Sequence, residues 1–130
     1  MIVGIGLDII DISKIEKIIN LFGDKFINRC FTKEEIITSE NRINKFASYS
    51  KRFAAKEAFS KALGTGIAKG VYWKDIGIIN LNTGKPSIVL DGIAKKRLNS
   101  LIPKNSVSKI DLTITDENNI AQAMVIISHS

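Results

Sequence analysis

The sequence predicts an α+β fold in which a mainly antiparallel sheet packs on one long central helix and shorter helices. Of the 130 residues, 45% are hydrophobic and 25% are charged, which is typical of a globular domain. Residues 43–63 carry the longest helical pattern, and residues 107–115 and 120–128 read as the strands of a hairpin. No repeat or linker divides the chain, so we expect a single domain over residues 1–130.

The chain begins with a predicted strand that leads into a helix. Isoleucine and valine dominate residues 2–11, which favours an extended conformation. Ser13 and Glu16 have the spacing of a capping box, in which both side chains bond to free amides at the start of a helix. We therefore expect a helix from this point to about Leu21.

Two more helices are predicted before the middle of the chain. Thr32 and Glu35 repeat the capping-box spacing, which indicates a short helix to about Ser39. The 43–63 pattern is rich in alanine, lysine and glutamate, which favour helices. Gly64 is expected to end this central helix, because glycine is common just past a helix C-terminus.

The second half of the chain is predicted to hold short strands around one helix. Residues 76–81 and 87–90 read as strands on either side of the turn 82–86. Residues 91–101 follow as a helix, and the polar segment 116–119 joins the two hairpin strands.

The small numbers of cysteine and histidine limit the metal sites and cross-links that the chain can form. Cys30 is the only cysteine and His129 the only histidine, so an internal disulfide is excluded and soft-metal sites are poorly supplied. A bound metal should therefore have oxygen ligands. Residues 1–8 lack the features of a signal peptide and no apolar run reaches about 18 residues, so we expect a cytoplasmic protein.

The charge balance favours an anionic partner. Lysine and arginine outnumber aspartate and glutamate by 19 to 13, for a net charge of +6. The partner could be a nucleic acid, a nucleotide or an acidic protein, or the charge could simply form a soluble basic surface. Lys14, Lys17 and Leu21 share one face of the first predicted helix, which could receive an acidic helix or remain a solvated lysine face.

Asp8 is an unusual residue within the first strand. Aspartate is depleted in strands, and a buried carboxylate is costly unless it is paired or binds a metal. Alternation places it on the same face as Gly4 and Gly6, which leave room for another backbone or a ligand. Asp8 could therefore bind a metal, cap a turn or pair with a lysine.

Glu57 is a second unusual carboxylate. It shares one stripe of the central helix with Phe46, Phe53 and Lys61, which suggests that it faces a cleft. The alternative is an ordinary surface ion pair between Glu57 and Lys61. If Asp8 and Glu57 converge, they offer two oxygen ligands for magnesium beside the Lys61 ammonium, a set that suits a diphosphate.

Five segments together resemble the holo-[acyl-carrier-protein] synthase family of 4'-phosphopantetheinyl transferases. Residues 4–9 and 52–67 resemble its two signatures, and residues 31–35, 84–86 and 121–125 resemble it in order and approximate spacing. The resemblance implies the fold of this transferase family, and it implies that the protein is a magnesium-dependent enzyme. Such an enzyme moves the phosphopantetheine arm of coenzyme A onto a serine of apo acyl carrier protein, in support of fatty acid biosynthesis.

The resemblance also implies roles for individual residues. Asp8 and Glu57 match the family's magnesium ligands, and Lys61 matches the lysine that contacts the coenzyme A phosphates. Arg52 and Lys56 are further candidates for nucleotide contacts. The loop of residues 64–70 begins with Gly64 and is rich in glycine, which could let the nucleotide approach closely. The alternative is that the glycine only ends the helix. Family members are homotrimers with active sites between subunits, and the first helix, around Lys14, receives the carrier protein.

One segment departs from the family pattern. Residues 113–116 read Thr-Ile-Thr-Asp where many members carry Ser-x-Ser-His, so we assign no role to Asp116. Two other functions fit the residues alone. A basic nucleic-acid-binding module would account for the charge, and a metal-dependent diphosphate hydrolase would use the same Asp8 and Glu57.

Overall fold

The computed structural model describes all 130 residues. The elements are, in chain order, β1 (Ile2–Asp11), α1 (Ile12–Phe22), α2 (Asp24–Cys30), α3 (Lys33–Glu40), α4 (Lys45–Ala62), β2 (Ile76–Asn80), β3 (Pro86–Leu90), α5 (Gly92–Leu101), β4 (Ser108–Glu117) and β5 (Ile120–His129). A short 3-10 helix, Trp73–Asp75, precedes β2. None of the helices combines the length and the apolar character that crossing a bilayer requires.

All strand pairs are antiparallel, but they form two sheets and not one. The larger sheet has the order β1-β5-β4, and β2 pairs only with β3. The α+β prediction is therefore confirmed, with the second sheet as a correction. The β4–β5 turn is also tighter than predicted, because Asn118 and Asn119 alone form it, with φ of 49° and 68°. Positive φ at both central residues is what a two-residue hairpin turn of type I′ requires.

The helix starts agree with the sequence at α3 and differ at α1. The Thr32–Glu35 capping box is confirmed, with the Thr32 amide 2.8 Å from the Glu35 carboxylate. The box predicted at Ser13 is wrong, because Asp11 caps α1 and accepts hydrogen bonds from both the amide and the hydroxyl of Ser13. An aspartate two residues earlier thus takes the cap position. Helix α2 was not predicted.

Helix α4 packs on the larger sheet with its backbone almost touching β1. A Cβ atom added to Gly6 would lie 1.7 Å from the Ala58 carbonyl oxygen, and one added to Gly4 would lie 1.9 Å from that of Ala62. The space beside the two glycines is therefore occupied by a helix backbone, and only glycine permits this distance. Asp8, two residues after Gly6 on the same strand face, is brought to the same helix.

We expect Gly6→Ala to destabilise the protein strongly, because its methyl group would force the α4 backbone away from β1. The free energy of unfolding in urea should fall by about 3 kcal/mol. Gly77→Ala in β2 is the matched control. Its Cβ would meet only ordinary contacts, the nearest at 3.4 Å, and should change stability by less than about 1 kcal/mol. Equal effects of the two substitutions would contradict the proposed steric role of Gly6.

Candidate active site at the junction of β1 and α4

Asp8 and Lys61 form an ion pair between β1 and α4. The Lys61 ammonium lies 3.0 Å from Oδ1 of Asp8 and donates a second hydrogen bond to the Leu7 carbonyl oxygen. The Asp8 side chain is mostly buried, whereas half of the Lys61 side chain is exposed. Asp8 therefore has a lysine partner, as one sequence alternative predicted. The other expected pair, between Glu57 and Lys61, does not form.

Glu57 lies half-buried beside this ion pair. Its Oε1 atom accepts a hydrogen bond of 3.2 Å from the indole nitrogen of Trp73. Burial raises the pKa of the Glu57 carboxyl, and repulsion from Asp8 raises it further, while the Trp73 hydrogen bond and Lys61 oppose the change. Asp8 and Lys61 are thus close enough to act on Glu57 electrostatically.

The two carboxylates offer oxygen atoms of the kind that magnesium prefers as ligands. Lys61 donates a hydrogen bond to one oxygen of Asp8, and Trp73 donates one to one oxygen of Glu57. The second oxygen of each carboxylate has no protein partner. No cluster of three or more histidine, cysteine, aspartate or glutamate side chains occurs in the chain. Magnesium commonly binds through one or two carboxylates and completes its shell with water and substrate phosphates.

Lys56 is not available for a nucleotide contact, which corrects the role expected for it. Its side chain is fully buried, and its ammonium lies 2.8 Å from a Glu35 oxygen. The same nitrogen donates hydrogen bonds to the carbonyl oxygens of Trp73 and Ile76 at 2.9 and 2.6 Å. Burial lowers the pKa of Lys56, and the Glu35 carboxylate opposes this. Three partners use all three donors of the ammonium.

Glu35 is equally well satisfied and connects three elements. Besides Lys56 of α4, it accepts hydrogen bonds from the amides of Thr32, at the start of α3, and Ile78, in β2. The sequence indicated only its capping role. Helical spacing could also have indicated that Lys56 is buried, because Lys56 shares a face of α4 with Phe59, which is fully buried.

Arg52 lies at a cationic cavity of about 640 Å³ between the start of α4, the β2–β3 turn and the end of β4. Arg42 and Lys51 supply further positive charge to its lining. Arg52 is 7% exposed, and its Nε atom has no hydrogen-bond partner. Asp116 also lines this cavity and pairs with Lys51 at 3.3 Å. Asp116, the carboxylate that stands where many family members carry a histidine, is therefore paired with Lys51.

Two other groups of predicted residues lie on the surface. Gly64 is exposed just past the end of α4, with φ of 84°, as expected for a residue that ends a helix. Lys14, Lys17 and Leu21 are all exposed on α1. Phe22, next to Leu21 in the chain, is also 55% exposed. The α1 surface thus combines basic and apolar side chains.

We expect Lys56→Met to destabilise the protein by about 3 to 5 kcal/mol, because it leaves the Glu35 carboxylate buried without a countercharge. Lys61→Met makes the same chemical change five positions later, where half of the lysine side chain is exposed, and should therefore cost less than Lys56→Met. Urea unfolding of the two variants and the wild type measures the difference. A Lys56→Met variant as stable as Lys61→Met would show that the buried pair is not needed.

Comparison with known proteins shows the family to which this chain is similar. The family model described as the 4'-phosphopantetheinyl transferase superfamily matches residues 4–117. A holo-[acyl-carrier-protein] synthase of Rhizobium leguminosarum bv. trifolii is 58% identical over 127 residues, which cover 98% of this chain and 95% of that protein.

Solved structures of similar proteins share the fold. The holo-[acyl-carrier-protein] synthase of Neisseria meningitidis superposes with a TM-score of 0.87 at 34% identity, covering 98% of this chain and 99% of that one. The Helicobacter pylori synthase in complex with coenzyme A has a TM-score of 0.81 at 32% identity, covering 95% of this chain and 99% of that one.

Proposed function

The chain belongs to the 4'-phosphopantetheinyl transferase superfamily, and we propose that it transfers the phosphopantetheine arm of coenzyme A to a serine of apo acyl carrier protein. The products are holo acyl carrier protein and adenosine 3',5'-bisphosphate. The observation that carries this proposal is the Asp8–Lys61 ion pair at the β1–α4 junction, with the half-buried Glu57 near enough to act on it electrostatically. The relative from Helicobacter pylori, crystallised with coenzyme A, supports the choice of donor.

Asp8 and Glu57 would hold magnesium through the carboxylate oxygens that have no protein partner. Magnesium bound there would neutralise charge on the coenzyme A diphosphate. Lys61 adds a positive charge that the half-exposed side chain can present to the same phosphates. Positioning and charge neutralisation are the main requirements of phosphoryl transfer.

The transfer step needs an acceptor for the proton of the serine hydroxyl. The serine hydroxyl attacks the phosphorus that carries the pantetheine arm, and a new oxygen–phosphorus bond forms. The bond from that phosphorus to the bridging oxygen breaks, and adenosine 3',5'-bisphosphate leaves. The serine proton passes to Glu57 or to a water molecule beside it.

The cationic cavity at Arg52 is the proposed site for the adenosine and its 3'-phosphate. Arg42, Lys51 and Arg52 supply the charge that an anionic nucleotide needs. Lys61 lies nine positions after Arg52 in α4, which corresponds to about 14 Å along the helix. We therefore propose that the cavity of one subunit serves the carboxylates of a neighbouring subunit, with Gly64 allowing close approach of the diphosphate.

The outer face of the larger sheet supports an oligomer. Ile5, Leu7 and Ile9 alternate along β1 and are 59%, 51% and 63% exposed. Met124 of β5 lies opposite Leu7 and extends the apolar face. Contiguous apolar surface of this kind marks interaction sites, and the family resemblance indicates a homotrimer. Analytical ultracentrifugation should therefore give a particle mass three times the chain mass of 14.3 kDa. Ile5→Lys should reduce that particle mass, because it places a charge on the apolar face.

Asp8→Asn and Glu57→Gln should each lower the rate of transfer at least about a hundredfold, because either change weakens magnesium binding. The measurement is the intact mass of apo acyl carrier protein after incubation with coenzyme A, magnesium and enzyme. Glu117→Gln is the matched control at an exposed position. Wild-type rates at limiting magnesium in Asp8→Asn or Glu57→Gln would refute the assignment.

The same assay separates the transferase from its alternatives. A gain of one phosphopantetheine arm that requires coenzyme A, magnesium and enzyme supports the transferase. Cleavage of coenzyme A without a mass gain would indicate a hydrolase. Absence of both reactions would favour a basic binding module, which salt-sensitive binding to random DNA would then test.

We expect Lys14→Glu combined with Lys17→Glu to raise KM for the carrier protein about tenfold and to leave the affinity for coenzyme A unchanged. The reason is that α1 would repel an acidic partner, although Leu21 would still offer an apolar contact. Lys95→Glu with Lys96→Glu makes the same charge change on α5 and should have little effect. Equal KM values for the two double variants would argue against docking on α1.

A further inference from the structure

Trp73 is the only tryptophan of the chain, and it contacts the candidate site directly. Its indole nitrogen donates the 3.2 Å hydrogen bond to Oε1 of Glu57. Trp73 was not among the residues predicted from the sequence, because it lies 16 positions from Glu57 and no local pattern relates the two.

The indole is held in place from several sides. Its ring stacks on Phe53 of α4 with ring centroids 5.9 Å apart and an interplanar angle of 25°. The Arg29 guanidinium carbon lies 5.9 Å from the ring centroid, within the range of a cation–π contact. The backbone is anchored as well, since the Trp73 carbonyl oxygen accepts a hydrogen bond from the buried Lys56. A donor held at both ring and backbone can orient the group that it binds.

We propose that Trp73 is a positioning residue, whose indole N–H orients the Glu57 carboxylate so that Oε2 remains free to bind magnesium. The proposal rests on the proposed function, since it deepens the role of Glu57 in that site. Without the N–H, the carboxylate loses its only side-chain hydrogen bond and can rotate about its last torsion angle. Partners of metal ligands commonly change metal affinity by about 10- to 100-fold when they are removed.

Trp73→Phe tests the role of the N–H, because phenylalanine keeps an aromatic ring for Phe53 but has no donor. We expect magnesium affinity, measured calorimetrically with coenzyme A present and no carrier protein, to fall about tenfold. The value of kcat at limiting magnesium should fall similarly, with KM for the carrier protein unchanged. Tyr72→Phe is the matched control, because the neighbouring Tyr72 is 63% exposed.

A second measurement leaves Trp73 intact and so does not depend on how its variant folds. The single indole N–H gives one resonance in a proton–nitrogen correlation spectrum. Its proton should exchange with solvent more slowly in metal-free wild type than in Glu57→Ala. Magnesium added with coenzyme A should shift the resonance in wild type but not in Glu57→Ala.

The outcomes distinguish the two proposals. Wild-type protein that transfers no arm overturns the proposed function. Wild-type protein that transfers the arm, while Trp73→Phe matches it in kcat and magnesium affinity, overturns the positioning role alone. An indole resonance that is identical in wild type and Glu57→Ala does the same. A tenfold loss in Trp73→Phe together with the shifted resonance supports the positioning role.

Discussion

The rest of the structure depends on the direct contact between the backbones of β1 and α4. Because Gly4 and Gly6 carry no side chains, the carbonyl oxygens of Ala58 and Ala62 occupy the space where their Cβ atoms would lie. Side chains alternate along a strand, so Asp8 faces the same helix as Gly6. The helix then presents Lys61 to Asp8 at 3.0 Å. The same two glycines therefore permit the packing of the core and create the junction at which Asp8 pairs with Lys61.

The buried pair of Glu35 and Lys56 links this core to the site. It joins α3, α4 and β2, and through the Trp73 carbonyl oxygen it holds the 3-10 helix that carries the indole. A buried ion pair rarely adds much net stability, because desolvation offsets the attraction. Its value here is geometric, since all three donors of Lys56 and both oxygens of Glu35 are used and few other arrangements would satisfy them.

The candidate site is incomplete by itself, in a way that suits the proposed reaction. Two carboxylates cannot form an all-protein magnesium cage, so a diphosphate substrate would have to supply further ligands. The cationic cavity at Arg52 lies elsewhere on α4, and the β1 face that exposes Leu7 is apolar. The proposed assembly of the site from substrate and neighbouring subunits would account for these separate surfaces.

The sequence by itself determined the elements that local patterns encode, and the tertiary structure decided the contacts between them. The isoleucine and valine content of residues 2–11, capping chemistry and turn residues predicted β1, the Thr32 cap and the hairpin. Asp8 and Glu57 stood out because carboxylates interrupt apolar patterns. Their partners did not follow from the sequence. Lys61 has two acceptable carboxylates, and only packing chooses Asp8, 53 positions away, over Glu57. Burial of Lys56 likewise depends on distant Glu35, since no local pattern shows which polar groups tertiary packing will bring together.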